Sequence, residues 1–437
     1  MGERVLVNGA RLLDNLSAMS AFGINPHGGI DRAFAQESDR QVRAWILEMW
    51  SRMGLETGTD AIANLWGKKH GSENLAPIAF GSHHDAVPDG GKYDGAMGVI
   101  IATEIMQTIL EKQIPTRHPL AVVSFTAEEP NAFNLSTLGS KVLCGRLTKE
   151  DLLSKTDRSG KVRLEDAVKE LGGNLHHLDE ARLHSGDIAA FLEAHNELGR
   201  QLEIRDLSVG AAASITGIYR EKITVTGESN HAGTTMMQDR KDAFLSLSEI
   251  AAALERGALQ RNSPEVTATM GYVNLHPNEA NIIPGSAEGI IDIRTSNDED
   301  LQFVLGFVEE AAEKARSRRG VQVLRECLLD QKAQPLDPFV REAILHGMAA
   351  EGEPEVTLTS MAGHDAANMQ RIAPSGMIFV RSVGGYGHCR REYCRPEDIV
   401  KAANAMLFAV LELDQSMDAV KPQPAETAAA VNWEAAS

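Results

Sequence analysis

The feature that most constrains this chain is an early run of three segments: PIAFGSHHD (77–85), GAMGVIIATEIMQTIL (95–110) and LAVVSFTAEE (120–129). The first and last are short apolar stretches that end in polar residues. The middle one is apolar on nearly every face and is long enough for a buried helix. Strand, helix, strand with so little polar surface predicts an α/β domain with a mainly parallel sheet. In such sheets ligands gather beyond the carboxyl ends of the strands. His83, Asp85, Glu128 and Glu129 fall at those ends.

The stretch DRQVRAWILEMWSRM places Val42, Trp45, Ile46, Met49 and Met53 on one helical face, with Gly54 to close the helix. The middle of the chain reads differently. EKITVTG (221–227), VTATMGYVNL (266–275), AEGIIDIR (287–294) and VQVLREC (321–327) read as strands. DRKDAFLSLSEIAAALERGA (239–258) and DEDLQFVLGFVEEAAEKARSRRG (298–320) read as helices. Strand–helix–strand–strand–helix–strand is the order of a ferredoxin-like α+β module. The predicted organisation is therefore a first part of one domain at 1–213, an inserted module at 214–328 and the returning domain at 329–420. A Pro/Ala-rich tail at 421–437 is expected to be mobile.

A length of 437 residues with 43% hydrophobic content suits two domains. The 43 basic and 61 acidic residues leave a formal charge of −18. That field argues against nucleic acid and anionic membranes as partners, though a local basic pocket could still take a small anion. No apolar run approaches a membrane span. The opening MGERVLVNGARLLDNL lacks the apolar centre of a signal peptide, and four cysteines without a C-x-x-C pair do not make a disulfide framework. A cytoplasmic protein is expected.

Several of these residues suit metal chemistry. His83 and Asp85 form a His-x-Asp pair in which the carboxylate can accept the imidazole's second N–H and fix its tautomer. An isolated pair of this kind is usually only surface polarity. Eleven residues on, Asp94 is bracketed by glycines at the start of the buried helix, where a carboxylate can bridge two cations. Glu128 and Glu129 follow an apolar strand, where the chain should leave the core for a cleft. Their side chains diverge, so one can bind a cation while the other handles a water proton.

Taken in order, the segments GGIDRAF, GSHHDAVPDGGKYDGAMGV, SFTAEEPNAF, STLGSK, EAHNELG, TVTGESNHAGTT, NIIPG, DIR, AGHDA and GGYGHCRREY resemble one family. It is the amidase/carbamoylase branch of the dinuclear zinc aminoacylase and carboxypeptidase superfamily, which holds N-carbamoyl-L-amino-acid hydrolases, allantoate amidohydrolases and β-ureidopropionases. The resemblance spans residues 8 to 410. It implies a metal-dependent amidohydrolase that cleaves a linear C–N bond of a small N-substituted amino acid. It also implies two divalent ions per subunit (zinc, or manganese, cobalt or nickel) and a homodimer formed through the inserted lid module. His83, Asp94, Glu129, His195 and His388 would be the ligands, with Asp94 bridging. Glu128 would be the general base, Asp85 would orient His83, and His231 would stabilise the oxyanion. Asn281, Arg294 and Gly363 would meet the substrate, while His364 and Asp365 would line the cleft or support His388.

The chain departs from the family pattern at Leu198, which stands where a glutamine usually helps hold the substrate, and at His84, Pro130 and Arg390. None of these is a proposed ligand or base. Leu198 keeps open a dipeptidase, aminoacylase or other amidase on the same scaffold. A non-catalytic metal- or amino-acid-binding protein would be expected to have lost the base or a ligand. A purely structural oligomer would leave the clustered histidines and carboxylates without a role.

Overall fold

Among the described residues, one apolar core gathers the helix Ala96–Glu111 with the strands on either side of it, and a separate core gathers Ile223, Leu247, Ile291 and Val304. The computed structural model describes residues 4–417 and 432–434. The chain divides into two compact units, one formed by Met1–Ala213 with Pro335–Ser437 and the other by Ser214–Gln334. The second boundary lies six residues beyond the expected 328 because the last strand of the insert continues to Gln331.

Six strands come first: β1 (Glu56–Thr59), β2 (Leu65–Lys69), β3 (Ile78–His83), β4 (Leu120–Phe125), β5 (Ala190–Asn196) and β6 (Val209–Ile215). Then follow β7 (Gly217–Thr226), β8 (Val266–His276), β9 (Ser286–Thr295) and β10 (Gln322–Gln331). The last four are β11 (Gln334–Pro335), β12 (Thr357–Ser360), β13 (Ser375–Val380) and β14 (Asn432–Glu434).

The first unit carries a ten-stranded mixed sheet ordered β11-β6-β13-β5-β3-β4-β2-β1-β14, with β12 against β6. Its centre is parallel, β13 beside β5, β5 beside β3 and β3 beside β4. The flanks, including β2 on β4 and β6 on β13, are antiparallel. All residues of β3, β4, β5 and β13 are buried, as expected of parallel strands covered on both faces.

The helix Ala96–Glu111 packs in the same core, with thirteen of its sixteen residues buried. It lies so close to β5 that a Cβ at Gly98 would stand 2.1 Å from the Ala194 carbonyl oxygen. Gly98→Ala is therefore expected to destabilise the protein by ~1–3 kcal/mol through overpacking, read as a lower urea midpoint. An unchanged midpoint would mean that the helix can retreat freely.

The helix Glu37–Arg52 forms as its periodicity predicts, with Val42 and Ile46 fully buried, and Trp50 is buried beside them. That indole is fully buried and donates to Thr103 Oγ1 at 2.9 Å, whereas Trp45, Met49 and Met53 are only partly covered. Part of the tail is described. Asn432–Glu434 pairs antiparallel with β1, Trp433 opposite Gly58, which satisfies backbone groups at a sheet edge. Residues 421–431 and 435–437 of that tail lie outside the described residues.

In the second unit the order β7, helix Ala243–Arg261, β8, β9, helix Asp298–Arg319, β10 builds an antiparallel sheet ordered β10-β7-β9-β8. Alternation along β9 turns Ala287, Ile291 and Ile293 into a core shared with Leu247, Leu254, Val304 and Val308 of the helices. Asp242 and Asn297 cap the helix starts by accepting the amides of Leu245 and Asp300. Among the described residues, no helix is long and apolar enough to cross a membrane.

Candidate active site

Three neighbouring parallel strands of the first unit deliver their ends to one place. His83 is the last residue of β3, His195 stands one residue before the end of β5, and Glu128 and Glu129 follow the end of β4. Asp94 precedes the helix Ala96–Glu111. Gly95 between them has φ +60°, and a Cβ there would lie 2.3 Å from the His83 ring. Only glycine lets the backbone pass so close to that imidazole.

Asp94 is the hub. Its Oδ1 lies 3.1 Å from His195 Nε2 and 3.7 Å from His83 Nε2, and its Oδ2 lies 3.3 Å from His388 Nε2. His388 Nε2 is also 3.3 Å from Glu129 Oε1. Two sets of three potential ligands result, His83–Asp94–His195 and Asp94–Glu129–His388, each with its donor atoms within 4.8 Å of one another. Glu128 belongs to neither set and stands beside them, its Oε2 3.8 Å from His83 Nε2. A third grouping, Glu193–His195–His364, shares His195 with the first. Both Glu193 oxygens are already engaged there, accepting from Ser82 Oγ at 2.7 Å and Ala366 N at 2.9 Å.

The charges crowd one another. Burial, then the neighbouring carboxylates of Glu129, Asp365 and Asp85, push Glu128 well above the ordinary carboxylate range. Burial, then Asp94, raises Glu129 to about 7. The Asp94 carboxylate, 3.3 Å away, lifts His388 to about 9. Burial opposes a charge on His83, but Asp85, Glu128 and Asp94 together hold it high. Asp94 Oδ2 and Glu129 Oε1 are buried without a hydrogen-bond partner, a costly state for carboxylate oxygens unless a cation compensates. Mixed imidazole and carboxylate donors suit zinc, manganese, cobalt or nickel. The residues present therefore fit divalent-cation binding.

Asp85 does more than face His83. His83 Nδ1 lies 3.1 Å from the Asp85 carbonyl oxygen and 3.4 Å from its carboxylate. The carboxylate itself accepts the amides of Glu128 and Glu129, both at 3.1 Å. One residue thus holds the His83 ring through its backbone and the two-glutamate turn through its side chain. Ala127 enters that turn in the left-handed region, φ +53°.

His231, Asn281 and Arg294 belong to the second unit. His231 is exposed, and its Nδ1 accepts from Gly233 N at 3.0 Å and Thr234 N at 3.2 Å. That assigns the proton to Nε2, which is left as a donor. Asn281 is tied to the same loop, since its carbonyl accepts Ala232 N at 3.0 Å. Arg294 lies on β9, with Nε donating to Asp292 Oδ1 at 3.1 Å. Gly363, in the first unit, faces open space at its Cβ position.

Residues 79–412 match the family model described as Peptidase family M20/M25/M40. The chain belongs to that family. M20 proteins are metal-dependent hydrolases, in keeping with the two ligand sets. The chain is 32% identical over 411 residues to an N-carbamoyl-L-amino acid amidohydrolase of Geobacillus stearothermophilus, covering 94% of this chain and all of that one. It is 31% identical over 402 residues to a ureidoglycolate hydrolase of Oryza sativa subsp. japonica, covering 91% and 83%. A solved amidase of the hydantoinase/carbamoylase family from Burkholderia multivorans superposes with a TM-score of 0.85 at 29% identity, covering 96% of this chain and all of that one.

Within this M20 site, one residue not singled out from the sequence, Glu392, holds a ligand in place. Glu392 is buried, and its Oε1 accepts the amides of Tyr93 at 2.9 Å and Asp94 at 2.8 Å. Its position four residues past His388 was the available signal. Leu198 adopts φ +58° and packs on the Gly387 backbone beside His388. His364, fully ringed by protein, meets His195 edge to face at 4.4 Å and Ser360 Oγ at 2.7 Å.

Proposed function

We propose that this M20 hydrolase removes the carbamoyl group, or a closely related amide, from a small N-substituted amino acid, using two divalent ions. The observation that carries the reading is Asp94 standing between two ligand sets with Glu128 free at their edge. The names of relatives that match over nine-tenths of the chain support the substrate class.

In this reading His83, Asp94 and His195 would hold one ion and Asp94, Glu129 and His388 the other. When bound, such ions supply Lewis acidity, acidifying water and polarising the scissile carbonyl. Glu128 accepts the proton as water's oxygen bonds to the carbonyl carbon. It returns that proton to the nitrogen as the C–N bond breaks. The free amino acid leaves, and a carbamoyl fragment ends as carbon dioxide and ammonia. His231, with Nε2 as donor, would stabilise the oxyanion, while Asn281, Arg294 and Gly363 would hold the substrate. The second unit would serve as lid and as the interface of a cytoplasmic homodimer.

Arg294→Lys tests the carboxylate contact. Losing one arm of a planar fork is expected to cost about 1.5–3 kcal/mol, seen as a higher KM with kcat little changed. A KM equal to that of the wild type would assign the carboxylate to another group.

The decisive assay for the whole reading is product detection by mass spectrometry. Protein reconstituted with zinc, manganese, cobalt or nickel would receive mixed N-carbamoyl, N-acyl and dipeptide substrates. Turnover confined to N-acyl or dipeptide substrates would favour the aminoacylase or dipeptidase alternative that Leu198 leaves open. No turnover with any metal would overturn the hydrolase reading.

A further inference from the structure

Beneath the two strand ends lies a second polar assembly that the proposed chemistry does not use. His84 Nδ1 lies 2.6 Å from Ser124 Oγ, and His84 Nε2 lies 2.8 Å from Asp39 Oδ1. These are the residue types of a nucleophilic triad, but all three are 0% exposed. No substrate can reach that hydroxyl, so a nucleophilic role fails on access alone.

Arg43 extends the assembly. Its Nε donates to Asp39 Oδ1 at 2.8 Å, and its terminal nitrogens donate to the Ala63 carbonyl at 2.6 Å and Thr126 Oγ1 at 3.1 Å. Asp39 Oδ2 accepts Ala35 N at 2.7 Å. The helix Glu37–Arg52 is thereby fastened to the exit of β3 at His84 and to β4 and its exit at Ser124 and Thr126. The same two exits carry the reacting groups. His83 and Asp85 flank His84, and Glu128 and Glu129 begin two residues past Thr126.

Burying an arginine, a carboxylate and an imidazole together is costly, and apolar residues of the same volume often give equal or greater stability. What apolar packing lacks is direction, since hydrogen bonds fix separations that methyl groups leave adjustable. We propose that Asp39, His84 and Ser124, braced by Arg43, form a positioning unit. It sets the distance between the strand end bearing His83 and Asp85 and the strand end bearing Glu128 and Glu129. The inference rests on the assignment of ligands and base given above.

The test replaces the directed contacts with apolar ones in the full-length protein. The double variant His84→Leu/Ser124→Ala removes the imidazole and its hydroxyl partner together. His84→Gln restores an amide able to reach Asp39. Three quantities are measured: the thermal midpoint, zinc affinity by competition with dipicolinate, and kcat separately from KM.

For the double variant we expect a thermal midpoint near that of the wild type, with KM within about twofold. Zinc affinity is expected to be weaker, by no more than the about 10–100-fold that losing a direct outer partner of a ligand costs, and kcat to fall in step. His84→Gln should recover a large part of kcat. A folded double variant with wild-type zinc affinity and kcat overturns the positioning role, as does failure of His84→Gln to recover any kcat. If the double variant does not fold, Ser124→Ala alone decides. A lowered kcat at an unchanged midpoint supports the proposal, and an unchanged kcat overturns it. Wild-type protein that binds no zinc in the same titration overturns the ligand assignment itself, and this inference with it.

Discussion

Glu128→Gln is expected to lower kcat by about 10²–10⁴-fold, the range that general acid–base catalysis contributes, while the protein keeps its ions. The geometry separates the two effects. Glu128 belongs to neither ligand set, and its place is fixed by its backbone amide on Asp85, which the substitution leaves intact. Gln matches Glu in shape and removes only the ability to take a proton. Burial and the surrounding carboxylates already push Glu128 well above its ordinary range, so a neutral amide costs the folded state little. The checks are kcat on the best substrate of the panel, metal content by elemental analysis after dialysis, and the thermal midpoint. Retention of more than about a tenth of the turnover would assign the base to another residue.

The second large effect is expected at Asp94. Asp94→Asn should weaken binding at both ion positions, because its two oxygens face the two ligand sets separately. His388→Ala should weaken one only, since His388 takes part in a single set. The expected stoichiometry after dialysis is two ions for the wild type, close to one for His388→Ala and fewer than one for Asp94→Asn. Loss of a direct ligand should exceed the about 10–100-fold that loss of an outer partner costs. Turnover should fall below detection in Asp94→Asn. Because ions that bind only the folded state stabilise it by mass action, the gap in thermal midpoint between zinc-loaded and chelated protein should shrink in the same order. Two ions retained by Asp94→Asn would show that the carboxylate does not bridge.

Much of the framework was legible because it is written locally. The apolar runs before His83 and Glu128 and the all-round apolar helix after Asp94 demanded buried strands and a buried helix, which the structure contains. The runs 221–227, 266–275, 287–294 and 321–327 read as strands, and the structure has them as β7, β8, β9 and β10. Other features had no local signature. The antiparallel flanks of the large sheet depend on which edges remain to be paired. The buried Trp50 indole is satisfied by Thr103, fifty-three positions away. The pairing of Asn432–Glu434 with β1 joins segments near opposite ends of the chain.

The candidate site divides the same way. His83, Asp94, Glu128 and Glu129 stand out as polar residues where apolar elements end, because a chain leaving a core exposes its next side chains to a cleft. His195 and His388 carry no such mark, and only the family resemblance pointed to them. By itself the sequence determined the strands and helices that carry strong apolar patterns and which residue types wait at their ends, since periodicity acts over a few residues. Only the tertiary structure decided that Asp94 lies between three histidines, that Asp85 clamps the glutamate turn, and that Asp39, His84 and Ser124 meet beneath it. Those distances are set by strand order and helix packing, which bring together residues tens to hundreds of positions apart.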